Sequence, residues 1–286
     1  MLTHRAGVVG SPVEHSLSPV LHEAAYRALG LHGWGYERHR IGGEGELDLR
    51  TFVEGLGPDW VGLSVTMPDK EAALDLAVAA TEQARRIGAA NTLVRREDGW
   101  VASNTDPDGI VAALVEAGVR RCSRGVVLGS GATARSALDA LARLGTRNVT
   151  FVVRDQVRSQ TRALAARLGM TVDVVPLTRP DEVGAVAARA DVVVSTLPAG
   201  APLGLEAGFP ADADLHGTVV LDAVYADWPT PMARWAAGCG ATVVPGSEML
   251  LHQAAAQVEL MTGRSAPLAA MRAALAEALG DRAGCP

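Results

Sequence analysis

The sequence predicts an α/β protein of two domains with largely parallel sheets. Short apolar runs of strand length alternate with amphipathic, helix-like segments along almost the whole chain. A length of 286 residues corresponds to one large domain or two ordinary ones. A Gly-x-Gly-x-x-Ala segment at 129–134 follows an apolar run and opens a helical pattern, which is typical of a doubly wound βαβ unit.

The apolar runs predict strands at nine positions. These are Ala6–Val9, Trp34–Arg40, Trp60–Val65, Gly125–Leu128, Asn148–Val153, Thr171–Val175, Asp191–Ser195, Thr218–Asp222 and Ala241–Val244. Apolar spacing of three and four predicts helices over other segments, which include Val20–Leu29, Asp108–Ala117 and Ser136–Leu144. After Val244 the pattern is helical only, over Ser247–Thr262 and Ala266–Leu279.

These elements divide the chain into a first domain over 1–106, a second over 107–245 and terminal helices over 246–286. The first boundary lies near 106 because a new block of strands begins at Gly125, after a connecting helix. The terminal helices have no strand of their own, so we expect them to fold back onto the first domain. The cleft between the domains is then the expected site.

Composition narrows the classes of partner. With 26 basic and 32 acidic residues the net charge is −6, which provides no basic field for nucleic acid and favours a small molecule. The chain lacks an apolar run of about 18 residues and a signal-like start, so we expect no membrane contact and a cytoplasmic location. Cys122, Cys239 and Cys285 are widely spaced, so neither a disulfide framework nor a metal site is expected.

Lys70 is the only lysine among the 26 basic residues. A GC-rich coding bias explains arginine wherever a solvated cation suffices, which makes the exception informative. An ammonium group can lose its proton near neutral pH when it is desolvated, whereas a guanidinium group effectively cannot. Lys70 is therefore a candidate acid/base, with chance survival of one lysine as the alternative.

The Gly-x-Gly-x-x-Ala segment predicts dinucleotide binding. Gly129 permits the tight turn, Gly131 lets the backbone approach a pyrophosphate, and Ala134 allows the helix to pack closely on the sheet. The N–H groups at the start of the helix bind phosphate oxygens. The alternative is a glycine turn in a nucleotide-free domain.

Residues at the end of the next strand usually determine whether such a domain binds NAD or NADP. Val153 stands where an NAD enzyme usually has a carboxylate, and Arg154 and Arg158 suit a 2′-phosphate. NADP is therefore favoured. Asp155 argues the other way, because a displaced carboxylate could repel phosphate or accept a ribose hydroxyl, and both arginines could instead belong to a solvated loop.

Polar residues also cluster at strand ends in the first domain. Ser16 and Ser18 lie between a strand and a helix, where two hydroxyls beside free N–H groups could hold a carboxylate. Ser18 before Pro19 is also a good helix N-cap, which is the structural alternative. Thr66 follows a strand and leads into a loop that carries Lys70 at the carboxyl edge of the sheet.

Two of the three asparagines, Asn91 and Asn104, occur in polar segments at 87–93 and 103–109. An amide provides both a donor and an acceptor, which suits a polyhydroxylated ring, although these residues are also common in turns. The evidence for a binding site is that these asparagines occur in one chain with Ser16, Ser18 and Lys70.

As an ordered set these segments resemble one family. They read Gly-x-Pro-x-x-His-Ser-x-Ser-Pro at 10–19, Val-Thr-x-Pro-x-Lys at 65–70, Gly-Ala-x-Asn-Thr at 88–92 and Asn-Thr-Asp-x-x-Gly at 104–109. Asp222-x-x-Tyr225, Thr230-Pro231 and Gly246-x-x-Met-Leu-x-x-Gln253 follow. The chain resembles shikimate dehydrogenase over essentially its full length.

The resemblance implies an α/β substrate domain, a Rossmann-type NADP domain, and reversible reduction of 3-dehydroshikimate to shikimate in aromatic amino acid biosynthesis. It implies Lys70 and Asp106 as the catalytic pair. Substrate would contact those two and Ser16, Ser18, Thr66, Asn91, Tyr225 and Gln253. Cofactor would contact Gly129, Ser130, Gly131, Ala132, Thr133, Ala134, Arg154, Arg158 and Gly246.

The chain departs from the family pattern in three places. Ser64 replaces an asparagine, Val153 and Asp155 replace residues beside the phosphate-binding arginine, and Ser195–Pro198 replaces a stretch near the nicotinamide. Two alternatives therefore stay open. One is an NAD-dependent quinate or aminoshikimate-type dehydrogenase, and the other is a non-catalytic NADP(H)-binding sensor. The sequence also leaves monomer and homodimer open.

Overall fold

A computed structural model describes residues 2–198, 200, 210–226 and 228–283 of the chain, without the side chains of 281–283. It contains two compact units. The first comprises Met1–Thr105 and the part of the chain that begins at Leu250, and the second comprises Asp106–Met249. The thiols Cys122 and Cys239 are free and buried, whereas Cys285 lies outside the described residues.

The first unit is built on one six-stranded sheet with the order β2-β1-β3-β5-β6-β4. Its elements are β1 (His4–Gly10), α1 (Ser18–Ala28), β2 (Trp34–Arg40), α2 (Leu49–Glu54), β3 (Trp60–Val65), α3 (Lys70–Leu76), β4 (Ala79–Ala80), α4 (Glu82–Ile87), β5 (Thr92–Arg96) and β6 (Gly99–Ser103). The three predicted strands are present. Strands β4, β5 and β6 were not predicted, and β5 pairs antiparallel with both β3 and β6.

The second unit is a fully parallel, doubly wound sheet with the order β12-β11-β10-β7-β8-β9. Its elements are α5 (Asp106–Glu116), β7 (Arg124–Leu128), α6 (Ala132–Arg143), β8 (Asn148–Val153), α7 (Ser159–Arg167), β9 (Thr171–Pro176), α8 (Pro180–Ala187), β10 (Val192–Ser195), β11 (Val219–Asp222), α9 (Pro231–Gly238) and β12 (Thr242–Pro245). All six strands match predicted ones within two residues at either end.

Alternation of side chains along the strands creates a core on each face of this second sheet. Val127 and Phe151 pack on one face with residues of α5, α6 and α7. Val126 and Val152 pack on the other face with residues of α8 and α9. Because both faces are covered, the loops at the carboxyl edge are the part of the sheet that remains available to a ligand.

Two helices follow the last strand, α10 (Gly246–Thr262) and α11 (Leu268–Ala283). As predicted, they return to the first domain: Met261 of α10 packs with Tyr26, Tyr36 and Val94 in its core, and α11 packs along α1. Of the helices in the described residues, none combines the length and apolar character that a membrane crossing requires.

Candidate active site

Two loops meet at the carboxyl edge of the first sheet. The Ser11 N–H donates to the Met67 carbonyl at 2.9 Å, and the Thr66 N–H donates to the Val9 carbonyl at the same distance. Gly10 has φ +151°, and a Cβ there would overlap Thr66 and the Met67 carbonyl. Glycine at position 10 therefore allows the loop after β1 (11–17) and the loop after β3 (66–69) to lie side by side.

Ser16 lies just before α1 and Ser18 is its first residue, so the structural alternative for Ser18 can be checked. Ser18 is the first helical residue, after Leu17 at the N-cap, so the N-cap interpretation of Ser18 is wrong. Instead the Ser16 hydroxyl accepts the Ser18 N–H at 3.3 Å, and the buried Ser18 hydroxyl contacts the Tyr36 hydroxyl. The Ser16 carbonyl accepts two hydrogen bonds from Arg38, at 3.0 and 2.8 Å, which fixes the loop.

Lys70 is the first residue of α3 rather than part of a loop, and its side chain is half-buried. Its carbonyl accepts the Ala90 N–H at 2.7 Å, which holds the lysine segment against the residue that precedes Asn91. The neighbouring Asp69 carboxyl is 8% exposed, and burial, with Asp48 and Glu46 nearby, raises its pKa.

Asn91 lies between β3 and β6 at this same edge, with 2% of its surface exposed. Its carbonyl accepts the Val65 N–H at 2.7 Å. Its side-chain Nδ2 donates to the Thr105 hydroxyl at 3.0 Å and to Gln253 Oε1 at 3.1 Å. Two residues predicted to hold substrate, Asn91 and Gln253, are thus in direct contact although 162 positions separate them in the chain.

Asn104 and Asp106 flank Thr105. The Asn104 amide donates to the Ala89 carbonyl at 2.9 Å, so it supports the Asn91 segment. Asp106 is the first residue of α5 and only 1% exposed. Asp106 begins the second unit. The residue before it, Thr105, donates its backbone N–H to Asn91 Oδ1 at 2.8 Å.

In the second unit the predicted cofactor residues gather at the carboxyl edge of the parallel sheet. Gly129 has φ +100°, and a Cβ there would lie 2.7 Å from Thr196 Oγ1. Gly131 is the N-cap of α6, has an ordinary φ of −83°, and would meet nothing within 4 Å if it carried a Cβ. Ala134 is fully buried against the sheet.

The loop after β8 carries the residues expected near a 2′-phosphate. Arg154, Asp155 and Arg158 are all exposed, whereas Val153 is buried at the strand end. The Thr161 hydroxyl, in the first turn of α7, donates to the Ser130 carbonyl at 2.7 Å. This bond fixes the loop of the two arginines beside the glycine turn.

The loop after β11 holds Tyr225, which is half-buried. The Thr230 hydroxyl donates to Asp222 Oδ2 at 2.6 Å and closes the loop. Burial raises the pKa of Asp222. Hydrogen bonds from Thr230, Val224 and Ser195 partly offset this rise, because they stabilise the carboxylate. Gly246, at the start of α10, lies so close to the Ala223 carbonyl that a Cβ would not fit.

Sequence reasoning missed the residues that lie behind the groups predicted to bind substrate. Gln257 lies one helical turn beyond Gln253, and its Nε2 donates to the Asn91 carbonyl at 3.1 Å and to the Thr92 hydroxyl at 3.0 Å. Its Oε1 accepts from Ser64 at 2.8 Å, and Ser64 accepts from Tyr36 at 2.6 Å. The i, i+4 spacing of the two glutamines was the available signal.

The chain matches the model of the shikimate dehydrogenase substrate binding domain over residues 8–93 and that of the shikimate 5'-dehydrogenase C-terminal domain over residues 246–276. A shikimate dehydrogenase (NADP(+)) from Anaeromyxobacter sp. (strain Fw109-5) is 38% identical, with 96% of this chain and 98% of the relative covered. The chain belongs to the shikimate dehydrogenase family.

Solved structures of family members have the same fold. The crystal structure of shikimate dehydrogenase from Mycobacterium tuberculosis superposes with a TM-score of 0.82 at 45% identity, covering 96% of this chain and 99% of that one. The Thermus thermophilus enzyme, solved in complex with NADP(H) and shikimate, gives 0.79 at 30% identity, covering 97% and 100%. The two-domain, Rossmann-type fold predicted from the sequence is therefore confirmed.

Proposed function

We propose that this protein is an NADP-dependent shikimate dehydrogenase, which reversibly reduces 3-dehydroshikimate to shikimate. The observation that carries the proposal is the position of the chain's only lysine. Lys70 begins α3 at the edge where Thr66 and Asn91 lie, and its carbonyl is bonded to the residue before Asn91. A titratable amine beside amide and hydroxyl groups suits a hydroxylated, carboxylated ring. The cytoplasmic location expected from the sequence stays a prediction.

The proposal assigns substrate to the first domain and NADP to the second. Ser16 and Ser18 bind the ring carboxylate, and Tyr225 completes the substrate site. Thr66, Asn91 and Gln253 bind ring hydroxyls. The contact between Asn91 and Gln253 supports this assignment, because both amides are presented together at the sheet edge.

Gly131 supports the cofactor assignment. Its backbone conformation is open to any residue and its surroundings would accept a Cβ, so the folded protein alone gives no reason for glycine there. A pyrophosphate that approaches the backbone gives one. The segment 129–134 would hold this group at the start of α6, with Arg154 and Arg158 at the 2′-phosphate and Gly246 near the nicotinamide.

NADPH, when bound, supplies the hydride that reduces the 3-keto carbon. As negative charge develops on the oxygen, the Lys70 ammonium donates a proton to it, and in the reverse direction the neutral amine accepts that proton. Asp106 orients the ammonium group and the substrate hydroxyl. Thr66, Asn91 and Gln253 orient the ring, so that the energy of binding aligns the reacting carbon.

Side-by-side assays test the proposal. The protein is incubated with shikimate or quinate and with NADP⁺ or NAD⁺, and reduced nicotinamide is followed by absorbance. We expect the highest kcat/KM for shikimate with NADP⁺. Dominant quinate activity with NAD⁺ would reject the proposal in favour of the first alternative. NADP(H) binding measured by calorimetry without any turnover would favour the sensor.

A further inference from the structure

The amide of Asn91 can present either its NH2 group or its oxygen to a ligand, and these two orientations would select different substrates. Hydrogen bonds from the surrounding residues decide between them. We propose that Thr92 and Gln257 are positioning residues that fix the orientation of the Asn91 amide, so that it offers an N–H donor to a substrate oxygen. This inference rests on the proposed function and deepens it.

Two short hydrogen bonds reach Asn91 Oδ1, and the Thr105 hydroxyl lies at a longer 3.3 Å from the same oxygen. The Thr105 backbone N–H donates at 2.8 Å, and the Thr92 hydroxyl donates at 2.7 Å. A flipped amide would bring its NH2 group against the fixed Thr105 N–H and would give up the bond from Thr92. The observed orientation leaves Nδ2 facing Gln253 and the Thr105 hydroxyl. Asn91 is therefore held as a donor on the side where Gln253 lies.

Gln257 determines which way the Thr92 hydroxyl points. Its Nε2 donates to Thr92 Oγ1 at 3.0 Å, so that oxygen acts as acceptor toward Gln257 and its own hydrogen turns to Asn91. The second Nε2 hydrogen goes to the Asn91 carbonyl at 3.1 Å. Gln257 thus contacts the Asn91 backbone directly and influences the Asn91 side chain through Thr92.

The amide of Gln257 is itself fixed by hydroxyl groups of the first-domain core. Its Oε1 accepts the Ser64 hydroxyl at 2.8 Å, and Ser64 in turn accepts the Tyr36 hydroxyl at 2.6 Å. Thr92 is fully buried, and Gln257 and Ser64 are 3% and 4% exposed. Because these side chains are buried, their effect on the substrate passes through Asn91, and we call them positioning residues.

The consequence for specificity is a requirement for an acceptor. A substrate whose hydroxyl oxygen accepts the Asn91 N–H gains a hydrogen bond in place of the Gln253 contact, whereas an analogue with hydrogen at that ring position forms no such bond. Sites that hydrogen-bond a substrate hydroxyl reject the analogue without it strongly, because an unpaired buried polar group is costly. Loss of the fixed orientation should weaken this rejection.

Three variants at position 92 test the inference. Thr92→Val and Thr92→Ala lack the hydroxyl, and Thr92→Ser keeps it. We expect the first two to raise the KM for shikimate about three- to tenfold, the factor expected for one buried neutral hydrogen bond. The value for Thr92→Ser should stay near wild type, and kcat and the KM for NADP⁺ should change less than twofold or so in all three.

Thr146→Val is the matched control. Thr146 is also fully buried, and its hydroxyl donates to the Cys122 carbonyl at 3.1 Å in the second domain. We expect a loss of thermal stability similar to that of Thr92→Val without a change in the KM for shikimate. An equal rise in this KM would show that loss of a buried hydroxyl acts generally, and would overturn the inference.

Discrimination between shikimate and its 4-deoxy and 5-deoxy analogues provides the readout that a structural role would not move. In the wild type, kcat/KM for shikimate should be much higher than kcat/KM for one of the two analogues. Thr92→Val and Thr92→Ala should reduce this ratio of shikimate to analogue. Unchanged ratios, or equal behaviour of Thr92→Ala and Thr92→Ser, would overturn the inference while leaving the dehydrogenase assignment intact. Absence of shikimate turnover in the wild type would instead reject the proposed function.

Discussion

At the scale of single residues, Lys70 is the group on which the proposed chemistry depends. An ammonium group can donate a proton and later recover it, whereas a guanidinium group retains its proton at any pH the enzyme meets. We expect Lys70→Ala to lower kcat by about 10²- to 10⁴-fold, with a smaller change in KM. Lys70→Arg should also lose most activity, because it keeps the charge but cannot release the proton.

Steady-state kinetics of both variants provide the measurement. Arg50→Ala, which removes an exposed cation of α2 in the same unit, serves as the control and should keep wild-type kcat. Near-normal turnover by Lys70→Arg would show that position 70 needs charge alone. Near-normal turnover by Lys70→Ala would remove the acid/base assignment altogether.

Residue types that are rare in this chain could be identified from sequence, but the groups that orient them could not. A single lysine and three asparagines stand out by counting. Gln257 does not, because its function follows from contacts with Thr92, 165 positions away, that only the folded chain creates. Ser18 shows the opposite case: the local sequence fits the alternative of an N-cap, yet Ser18 is the first residue of α1 and its hydroxyl contacts Tyr36.

At the scale of elements, the strand–turn–helix from β7 to α6 allows structural and functional glycines to be separated. Gly129→Ala places a side chain in left-handed backbone and against Thr196, so we expect lower thermal stability and weaker NADP(H) binding together. Gly131→Ala meets no protein atom within 4 Å. We expect its thermal stability to match wild type while the Kd for NADPH rises at least about tenfold.

Differential scanning fluorimetry and fluorescence titration with NADPH give the two quantities. Gly238→Ala is the matched control, because this residue of α9 also has open space around its Cα. Its stability should rise slightly and its affinity for NADPH should not change. Wild-type affinity in Gly131→Ala would mean that no phosphate approaches this turn.

We expect the loop from β8 to α7 to determine the preference for NADP over NAD. Charge-assisted bonds from Arg154 and Arg158 to a 2′-phosphate are worth about 1.5–3 kcal/mol each. Arg154→Ala should therefore raise the KM for NADP⁺ about 10- to 100-fold and leave the KM for NAD⁺ nearly unchanged. Arg189→Ala, an exposed arginine just before β10, is the control. A parallel rise for both cofactors would exclude a 2′-phosphate contact.

Elements with a strong periodic pattern were predicted well, and the hairpin of β5 and β6 was missed. Its strands are only five residues each, and their polar flanks were interpreted solely as site segments. The turn signal was present: Asp98-Gly99 follows Thr92–Arg96, and Gly99 has φ +131°. Because β6 runs antiparallel to β5, Thr92 pairs with Ser103 and the chain returns to Asn91 at Thr105, so the missed hairpin joins two segments of the candidate site.

At the scale of the whole molecule, burial of His22 makes stability depend on pH. The ring is fully buried, stacks on Tyr36, and has nitrogen contacts with Tyr26 and Gln257. Burial lowers the pKa of His22 from 6.5 to about 3. Between these values the unfolded chain binds a proton that the folded chain excludes, so the free energy of unfolding decreases as pH falls, by about 1.4 kcal/mol per unit.

Urea denaturation between pH 7.5 and pH 5 measures this dependence. His22→Gln keeps polar contacts but cannot titrate, so its denaturation midpoint should fall less steeply with pH than that of wild type, whatever its stability at pH 7.5. Asp69 and Asp222, whose pKa burial raises, act in the opposite direction in both proteins and cancel in the comparison. His32→Gln, at an exposed position, should follow the wild-type profile. Identical slopes for His22→Gln and wild type would show that another group is responsible for the acid sensitivity.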